Sequence, residues 1–342
     1  MDAKEIFVKL FNNKGKDEIR GMFGHDFYQQ NRYLLSGRKG SFDRFIHFIT
    51  QIHECLTRKE GKLLDVGCGF GLHSMVLTKL GYDVFSLDVS LKKIEVHNAL
   101  ISSYDKQIPC CPILGDATCL PMEDESMDVI YVNEFISHVP DLLKSIKEFR
   151  RVLKTGGDII ISDTDRRSLF FNLIMLFGRR SVDKRYKRMR RKIIEEFLKR
   201  RESSLRDEEI EAIASKTAGM IKSEIEEIIR KFLNGINIES LIERFKLREP
   251  FGREFKHRSP YGQYSERVFT PSEVTKLLEN DFTHLRSFYP LMSSPLAHLA
   301  SYGAISILEK AFSKSPIPFL LIGKYVVHGV KRKIAQEIVP VS

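Results

Sequence analysis

The sequence of 342 residues predicts an α/β fold with a helical insertion. Between Lys62 and Asp163, short apolar runs alternate with amphipathic helical stretches, and this alternation returns near Thr270. Strand–helix–strand units of this kind connect with right-handed crossovers and build a parallel sheet that is covered by helices on both faces. The stretch between them, residues 166–265, is mostly helical and highly charged, so we expect an insertion after the fifth strand.

The individual elements follow from local patterns. The stretch "GSFDRFIHFITQIHECL" spaces its apolar residues as a helix does, and residues 1–58 are predicted to be helical. Buried strands are predicted at 62–67, 83–88, 111–116, 127–134 and 157–163, with two more at 283–291 and 318–330. The sequence thus divides into N-terminal helices over the ligand site (1–58), an α/β core (59–165), the insertion (166–265) and a C-terminal part of the core (266–342).

Helices are predicted between most of these strands. "DLLKSIKEFRRVLKTGG" has one apolar face and a Gly-Gly stop, and a single long amphipathic helix is expected from Ile210 to Phe232. Thr270 and Glu273 form a capping box with Pro271 at the first helical position, and residues 295–312 are expected to form an apolar helix.

Composition narrows the class of protein. Apolar residues make up 42% and charged residues 29%, which are globular values. The five cysteines include no Cys-x-x-Cys pair and no zinc spacing, so no metal is expected. The odd cysteine count, the charged N-terminus and the lack of a run of ~20 apolar residues favour a reducing cytoplasm over secretion or a membrane span.

The strongest chemical signal is "LLDVGCGFG", Leu63 to Gly71, where a buried strand ends in a glycine-rich turn. Glycines allow positive φ and let the backbone approach a ligand closely. The nicotinamide fingerprint would need a third glycine at position 72, where this sequence has Leu72, and no P-loop lysine follows. Both mismatches argue against nicotinamide and nucleoside-triphosphate enzymes.

This turn resembles motif I of class I S-adenosylmethionine (SAM)-dependent methyltransferases of the type 11/12 kind. The resemblance implies a Rossmann-like, seven-stranded sheet, SAM as the cofactor and methyl transfer as the activity. It places Asp65 at the methionine end of the cofactor, Asp88 at the ribose and the third-strand end at the adenine. The implied cofactor-binding residues are Asp65, Gly67, Gly69, Gly71, Asp88, Val89, Asp116, Ala117 and Asn133. From the residues alone, Asp88 could also be a helix N-cap and Asp116 a turn former.

A second, narrower resemblance concerns "NEFISHV", which is similar to the E-V-x-E-H-V segment of ubiquinone-pathway O-methyltransferases. The N-terminal "DRFIHFI" is similar to the R-x-x-[YF]-I helix of the same enzymes, and this resemblance implies a contact of Arg44 with the SAM carboxylate. Ser137 replaces that segment's second glutamate, which counts against a metal-assisted mechanism. His138, just past the fourth strand, is the candidate general base, although a histidine there could also only pack or cap.

The net charge of +10 is concentrated in one place, since Arg179 to Arg201 contains twelve basic and three acidic residues. The apolar run Leu169 to Phe177 precedes it. Together they could contact an anionic membrane surface, which would make the protein a peripheral one at the inner membrane face. The acceptor would then be an apolar or lipid-like small molecule, methylated on oxygen or carbon. The alternatives are methylation of RNA or protein, or ordinary packing with a soluble acceptor. Nucleic acid is less favoured because Tyr186 is the one aromatic residue between Arg179 and Lys192, where the basic residues are densest. A non-catalytic SAM-binding subunit is a further alternative.

Overall fold

A computed structural model describes most of the chain. Backbone and side chains are described for residues 3–12, 14–32, 34–35, 41–139, 141–165, 184–218, 220, 222–242, 269–290 and 324–333, and the backbone alone for residue 36. The backbone alone is described for residues 169–183, 243–247, 253–254 and 267–268.

Seven strands form one mixed sheet in the order β3-β2-β1-β4-β5-β9-β8. Strands β1 to β5 run parallel, β9 pairs antiparallel with β5, and β8 pairs antiparallel with β9. This is the predicted Rossmann-like, seven-stranded sheet. The bounds are β1 Gly61–Val66, β2 Tyr82–Asp88, β3 Cys110–Leu114, β4 Met127–Asn133, β5 Leu153–Thr164, β8 Phe282–Phe288 and β9 Lys324–Lys331, while β6 Arg253–Glu254 and β7 Arg267–Val268 pair separately.

The strand order reverses between β1 and β4, which places a crevice at the carboxyl ends of these two strands. Alternate residues of β1 face opposite sides of the sheet, so Leu63 joins the core under the N-terminal helices and Leu64 joins the core under α7 and α12. The helices are α1 Lys4–Phe11, α2 Lys16–Phe23, α3 His25–Gln30, a short 3-10 helix Leu34–Ser36, α4 Ser41–Cys55, α5 Leu72–Lys79, α6 Leu91–Tyr104, α7 Leu142–Val152 and α12 Pro271–Leu278.

The predicted insertion follows β5 and is helical: α8 Leu169–Arg200, α9 Asp207–Lys216, α10 Lys222–Leu233 and α11 Ile238–Leu247. It has a hydrophobic cluster of its own, which includes Ile193, Ile213 and Ile228. Because these side chains pack with one another, the apolar stripes of α9, α10 and the described C-terminal part of α8 are buried within the insertion.

The structure corrects two predicted elements. The long helix expected from Ile210 to Phe232 is two helices, since α9 ends at Lys216 and α10 begins at Lys222. The Thr217 hydroxyl donates to the Ile213 carbonyl at 2.7 Å where α9 ends. The Gly-Gly stop is also wrong, because α7 passes directly into β5 at Leu153. The expected helix at 295–312 and the start of the last strand at 318–323 lie outside the described residues. Among the helices described, none is long and apolar enough to cross a membrane.

Candidate cofactor and acceptor site

The glycine-rich turn leaves β1 in a left-handed backbone conformation. Gly67, Gly69 and Gly71 have φ values of +71°, +59° and +77°. The Gly67 and Cys68 amides both donate to the Leu87 carbonyl, at 2.7 and 3.0 Å. The loop is therefore fixed against the end of β2 by its own backbone.

The three glycines differ in the space around their α-carbons. A Cβ on Gly67 would overlap the Phe135 ring, and a Cβ on Gly71 would overlap the His97 ring. A Cβ on Gly69 would meet nothing within 4 Å. Gly67 and Gly71 are thus needed for close packing, whereas Gly69 borders the open space in which a ligand can approach the backbone.

Asp88 stands at the end of β2 and is buried. Its Oδ2 accepts from the Gly69 amide at 3.0 Å, and its Oδ1 accepts from the Ser90 amide at 2.9 Å, just before α6. Asp88 is therefore not the N-cap of α6, because that position is Ser90, and its carboxylate instead holds the turn that precedes the helix. The Lys93 ammonium also lies 3.5 Å from Oδ2. Because a carboxylate has about four acceptor sites, Asp88 still has capacity for a ligand hydroxyl.

Apolar side chains are exposed beside this acid. Val89 is 52% exposed and so is Leu114, which pairs in register with Asp88 across β2 and β3. Large exposed apolar side chains next to a polar anchor fit the flat ring of a nucleoside. Asp116 is exposed nearby, and its Oδ1 accepts from the Thr118 amide at 2.8 Å, so it does form a turn. Ala117, the next residue, is buried.

Asp65 lies beneath the loop, not in the open space. It is buried, and the Ser74 hydroxyl on α5 donates to its Oδ2 at 2.5 Å. Burial raises the pKa of Asp65 to about 7, the Ser74 hydrogen bond opposes this, and the nearby Asp88 adds to it. A cation bound above the loop would favour the ionised form of this acid.

Asn133 and Arg44 are the two remaining predicted cofactor residues. The Asn133 Oδ1 is buried at the end of β4 with no hydrogen-bond partner among the described residues, so it can accept from a ligand ammonium group. Arg44 is buried on α4, which packs against α5. The open Gly69, the exposed Val89 and the unpartnered Asn133 oxygen together fit SAM. We call this region, comprising the loop 67–71 and the ends of β2 and β3, the glycine-loop half.

The other half of the crevice is built from side chains, and we call it the ion-pair half. Glu134 follows β4 with a φ of +51°, and its Oε1 lies 2.9 Å from Nζ of Lys324, the first residue of β9. The positive charge of Lys324 holds the pKa of Glu134 below its usual value. The Lys324 ammonium also lies 4.9 Å from the centre of the Phe48 ring.

His73 and Tyr131 complete the ion-pair half. The His73 Nδ1 lies 2.6 Å from the Tyr131 hydroxyl, and the His73 ring contacts Phe45 edge-on at 4.7 Å. Burial, followed by Lys324, lowers the pKa of His73 to about 3, so the ring is neutral. Sequence reasoning missed His73 and Lys324, because no local pattern marks them.

The predicted base, His138, lies at the rim of this half. It is exposed, in a turn whose His138 amide donates to the Phe135 carbonyl at 2.9 Å. Asp163 lies below, where its Oδ2 accepts from the Ser137 amide at 3.2 Å and burial raises the pKa of Asp163 to about 7. Ser137 is thus part of the turn that positions His138. Among the described side chains, no group of three His, Cys, Asp or Glu could hold a metal ion.

The basic run of the insertion is partly neutralised. Lys187 pairs with Glu211, Arg191 with Asp207 at 2.9 Å, and Arg200 with Glu226 at 2.5 Å, while the buried Arg190 donates to the Ala214 carbonyl at 2.6 Å. Besides Arg200, the exposed cations among the described side chains of α8 and just beyond it are Lys184, Arg185, Arg188, Lys192, Lys199 and Arg201. The side chains of Leu169 to Phe177 lie outside the description.

Comparison with known proteins identifies the domain. Residues 64–161 match the family model for a methyltransferase domain. A demethylmenaquinone methyltransferase of Staphylococcus aureus is 33% identical over 135 residues, which are 36% of this chain and 55% of that protein. A sterol 4-C-methyltransferase of Caenorhabditis elegans is 30% identical over 100 residues, 29% of this chain and 30% of that protein.

Among solved structures, the PH0226 protein of Pyrococcus horikoshii is 28% identical, over 44% of this chain and 71% of that one, with a TM-score of 0.38. The chain spans about half the length, or less, of the curated relatives it matches. The matched segment, the sheet order and the glycine loop agree: the chain carries a class I SAM-dependent methyltransferase domain, whose cofactor is SAM.

Proposed function

We propose that this protein transfers the methyl group of SAM to an oxygen or carbon atom of an apolar, lipid-like small molecule. The observation that carries the proposal is the open Gly69 backbone, together with the unpartnered Asn133 oxygen at the end of β4, within a matched methyltransferase domain. The relatives named above act on a sterol and on demethylmenaquinone, which supports an apolar acceptor here.

Methyl transfer requires mainly that the protein position the two reactants. When bound, SAM supplies an activated methyl group that an acceptor atom attacks in line. The residues of this chain then have three tasks: they hold the two reactants at the right distance, exclude water, and take a proton if the acceptor loses one. Asp88, Asn133 and Arg44 are proposed to hold the cofactor, and His138 is proposed to take the proton.

Two measurements test the proposal. Calorimetry is expected to detect binding of SAM and not of NAD. Incubation with methyl-labelled SAM is expected to label the lipid fraction of a cell extract and not its RNA. Binding of NAD without binding of SAM would exclude the main interpretation. Label in RNA or protein would move the acceptor to the alternative class, and SAM binding without any label would favour the non-catalytic subunit.

The exposed cations of α8 support a second proposal, that the protein associates peripherally with an anionic membrane. Lys184, Arg188 and Lys192 recur every four residues and so share one face of the helix. Near an anionic surface, each cation contributes ~1 kcal/mol. The same cations could bind the phosphate backbone of RNA. However, Lys187 and Arg191 pair with acids, and this reduces the basic surface available for phosphates.

Vesicle sedimentation tests this proposal. Changing Lys184, Arg188 and Lys192 to serine is expected to weaken binding to phosphatidylglycerol vesicles at least tenfold. The matched control changes the paired Lys187, Arg191 and Arg200 to serine and removes the same charge with a smaller loss. Equal losses, or equal binding of the unaltered protein to neutral vesicles, would contradict a specific role of the exposed face.

A further inference from the structure

The carboxylate of Glu134 occupies an unusual position for an ion-paired acid. Glu134 has a φ of +51°, a left-handed backbone conformation that is strained for a residue with a Cβ. Such strain persists where the surrounding structure holds it in place. Here the Glu134 amide donates to the Ser162 carbonyl at 2.7 Å, and the side chain reaches Lys324. The backbone is thus held so that this side chain points across the sheet edge.

The two side chains of the ion pair differ in their exposure to solvent. The Glu134 side chain is 57% exposed, whereas its partner Lys324 is 14% exposed. Groups from four other elements lie near the carboxylate: Lys324 from β9, His73 from α5, His138 from the following turn and Asp163 from β5. A side chain that has so many neighbours and still keeps more than half of its surface accessible lines the wall of a crevice.

That crevice adjoins the glycine-loop half. Val66 and Val132 pair in register across β1 and β4, so the residues that follow each strand lie side by side. Phe135, the residue after Glu134, packs on Gly67. Glu134 therefore stands between the loop that fits SAM and the aromatic side chains of α4, of which Phe48 lies against the Lys324 ammonium.

We propose that Glu134 contacts the methyl acceptor, accepting a hydrogen bond from its hydroxyl or amine group, and that Lys324 is the positioning residue that holds this carboxylate. The proposal rests on the proposed function and adds the contact that selects an acceptor with a protic group. Lys324 occupies one side of the carboxylate, and the acceptor sites on the exposed side remain accessible. Lys324 also favours the ionised form of Glu134. An ionised carboxylate accepts a stronger hydrogen bond from a hydroxyl group than a neutral carboxylic acid does.

The experiment measures transfer of labelled methyl groups from SAM to the lipid extract of cells, together with SAM affinity by calorimetry. Glu134→Gln keeps the size of the side chain, and Glu134→Gly keeps the positive φ without strain. Both are expected to bind SAM within twofold of the unaltered protein and to lose at least 30-fold in transfer rate. Lys324→Arg is expected to retain most of the activity.

A pH profile separates positioning from mere structure. Without Lys324 the pKa of Glu134 rises, so the fall in activity on the acid side is expected at higher pH in Lys324→Met. Protonation of His73, His138 or Asp163 could also shape this profile, but a shift that is absent from the double variant Lys324→Met/Glu134→Gln belongs to Glu134.

The outcomes are distinct. Transfer by Glu134→Gln within threefold of the unaltered rate, or an unmoved profile in Lys324→Met, would overturn the inference and leave the proposed function intact. If the unaltered protein binds no SAM or labels nothing, the proposed function fails and the inference falls with it.

Discussion

The two halves of the crevice are held together by different means. In the glycine-loop half, backbone amides of Gly67, Cys68 and Gly69 donate to acceptors at the end of β2, within about twenty residues along the chain. In the ion-pair half, side chains meet from distant segments, as with Glu134 and Lys324. One half is therefore fixed by local backbone geometry and the other by the completed fold. We expect them to respond to mutation in different ways.

The largest loss of SAM affinity is expected at Gly69, where the ligand is proposed to approach the backbone itself. Gly69→Ala places a methyl group in the open space beside the loop, and we expect SAM affinity to fall at least 50-fold. Gly156→Ala is the matched control, because Gly156 has a φ of +74° and is equally open around its Cβ, but lies where α7 joins β5. Both variants should lose ~1 kcal/mol of folding stability from the positive φ.

Calorimetry with SAM and thermal unfolding measure the two quantities separately. If the two variants lose the same stability but only Gly69→Ala loses affinity, the open space is ligand space. Equal SAM affinities in both would show that Gly69 does not border the cofactor.

The next effect concerns the acid that joins the loop to β2. Asp88→Ala removes the proposed contact with the SAM ribose and also the acceptor of the Gly69 and Ser90 amides. We therefore expect SAM affinity to fall at least tenfold, from loss of ~1.5–3 kcal/mol. Asp83→Ala, at the exposed, opposite end of the same strand, should change affinity less than twofold. Unchanged affinity in Asp88→Ala would refute the assignment.

The same contrast explains what the sequence could predict. The glycine loop and the seven strands were predictable because a motif of nine residues and the alternation of strands and helices are local signals. The ion-pair half was not, since Lys324 carries no motif and meets Glu134 only after β9 inserts beside β5. His73 lies two residues beyond the glycine motif, but its role depends on Tyr131, which faces it from β4.

The smallest expected effect is the pH dependence of stability that comes from two buried acids, one in each half. Burial raises the pKa of both Asp65 and Asp163 to about 7. Each folded-state pKa exceeds the unfolded value of ~3.9, so each acid contributes stability that is present below that value and is lost as the pH rises through 7. Relative to Asp65→Asn or Asp163→Asn, the unaltered protein should therefore lose ~2 °C or more in melting temperature between pH 4 and pH 8.

Addition of SAM should separate these two acids. Asp65 lies beneath the loop, and a bound cation would favour its ionised form, so saturating SAM should reduce the pH-dependent difference between the unaltered protein and Asp65→Asn. Asp163 lies in the ion-pair half, where the Thr164 and Ser137 amides hold it, so its difference should persist. Differential scanning fluorimetry from pH 4 to pH 8, with and without SAM, measures both. A SAM effect on Asp163→Asn as large as that on Asp65→Asn would mean that the cofactor reaches both halves, and that the boundary between them is wrong.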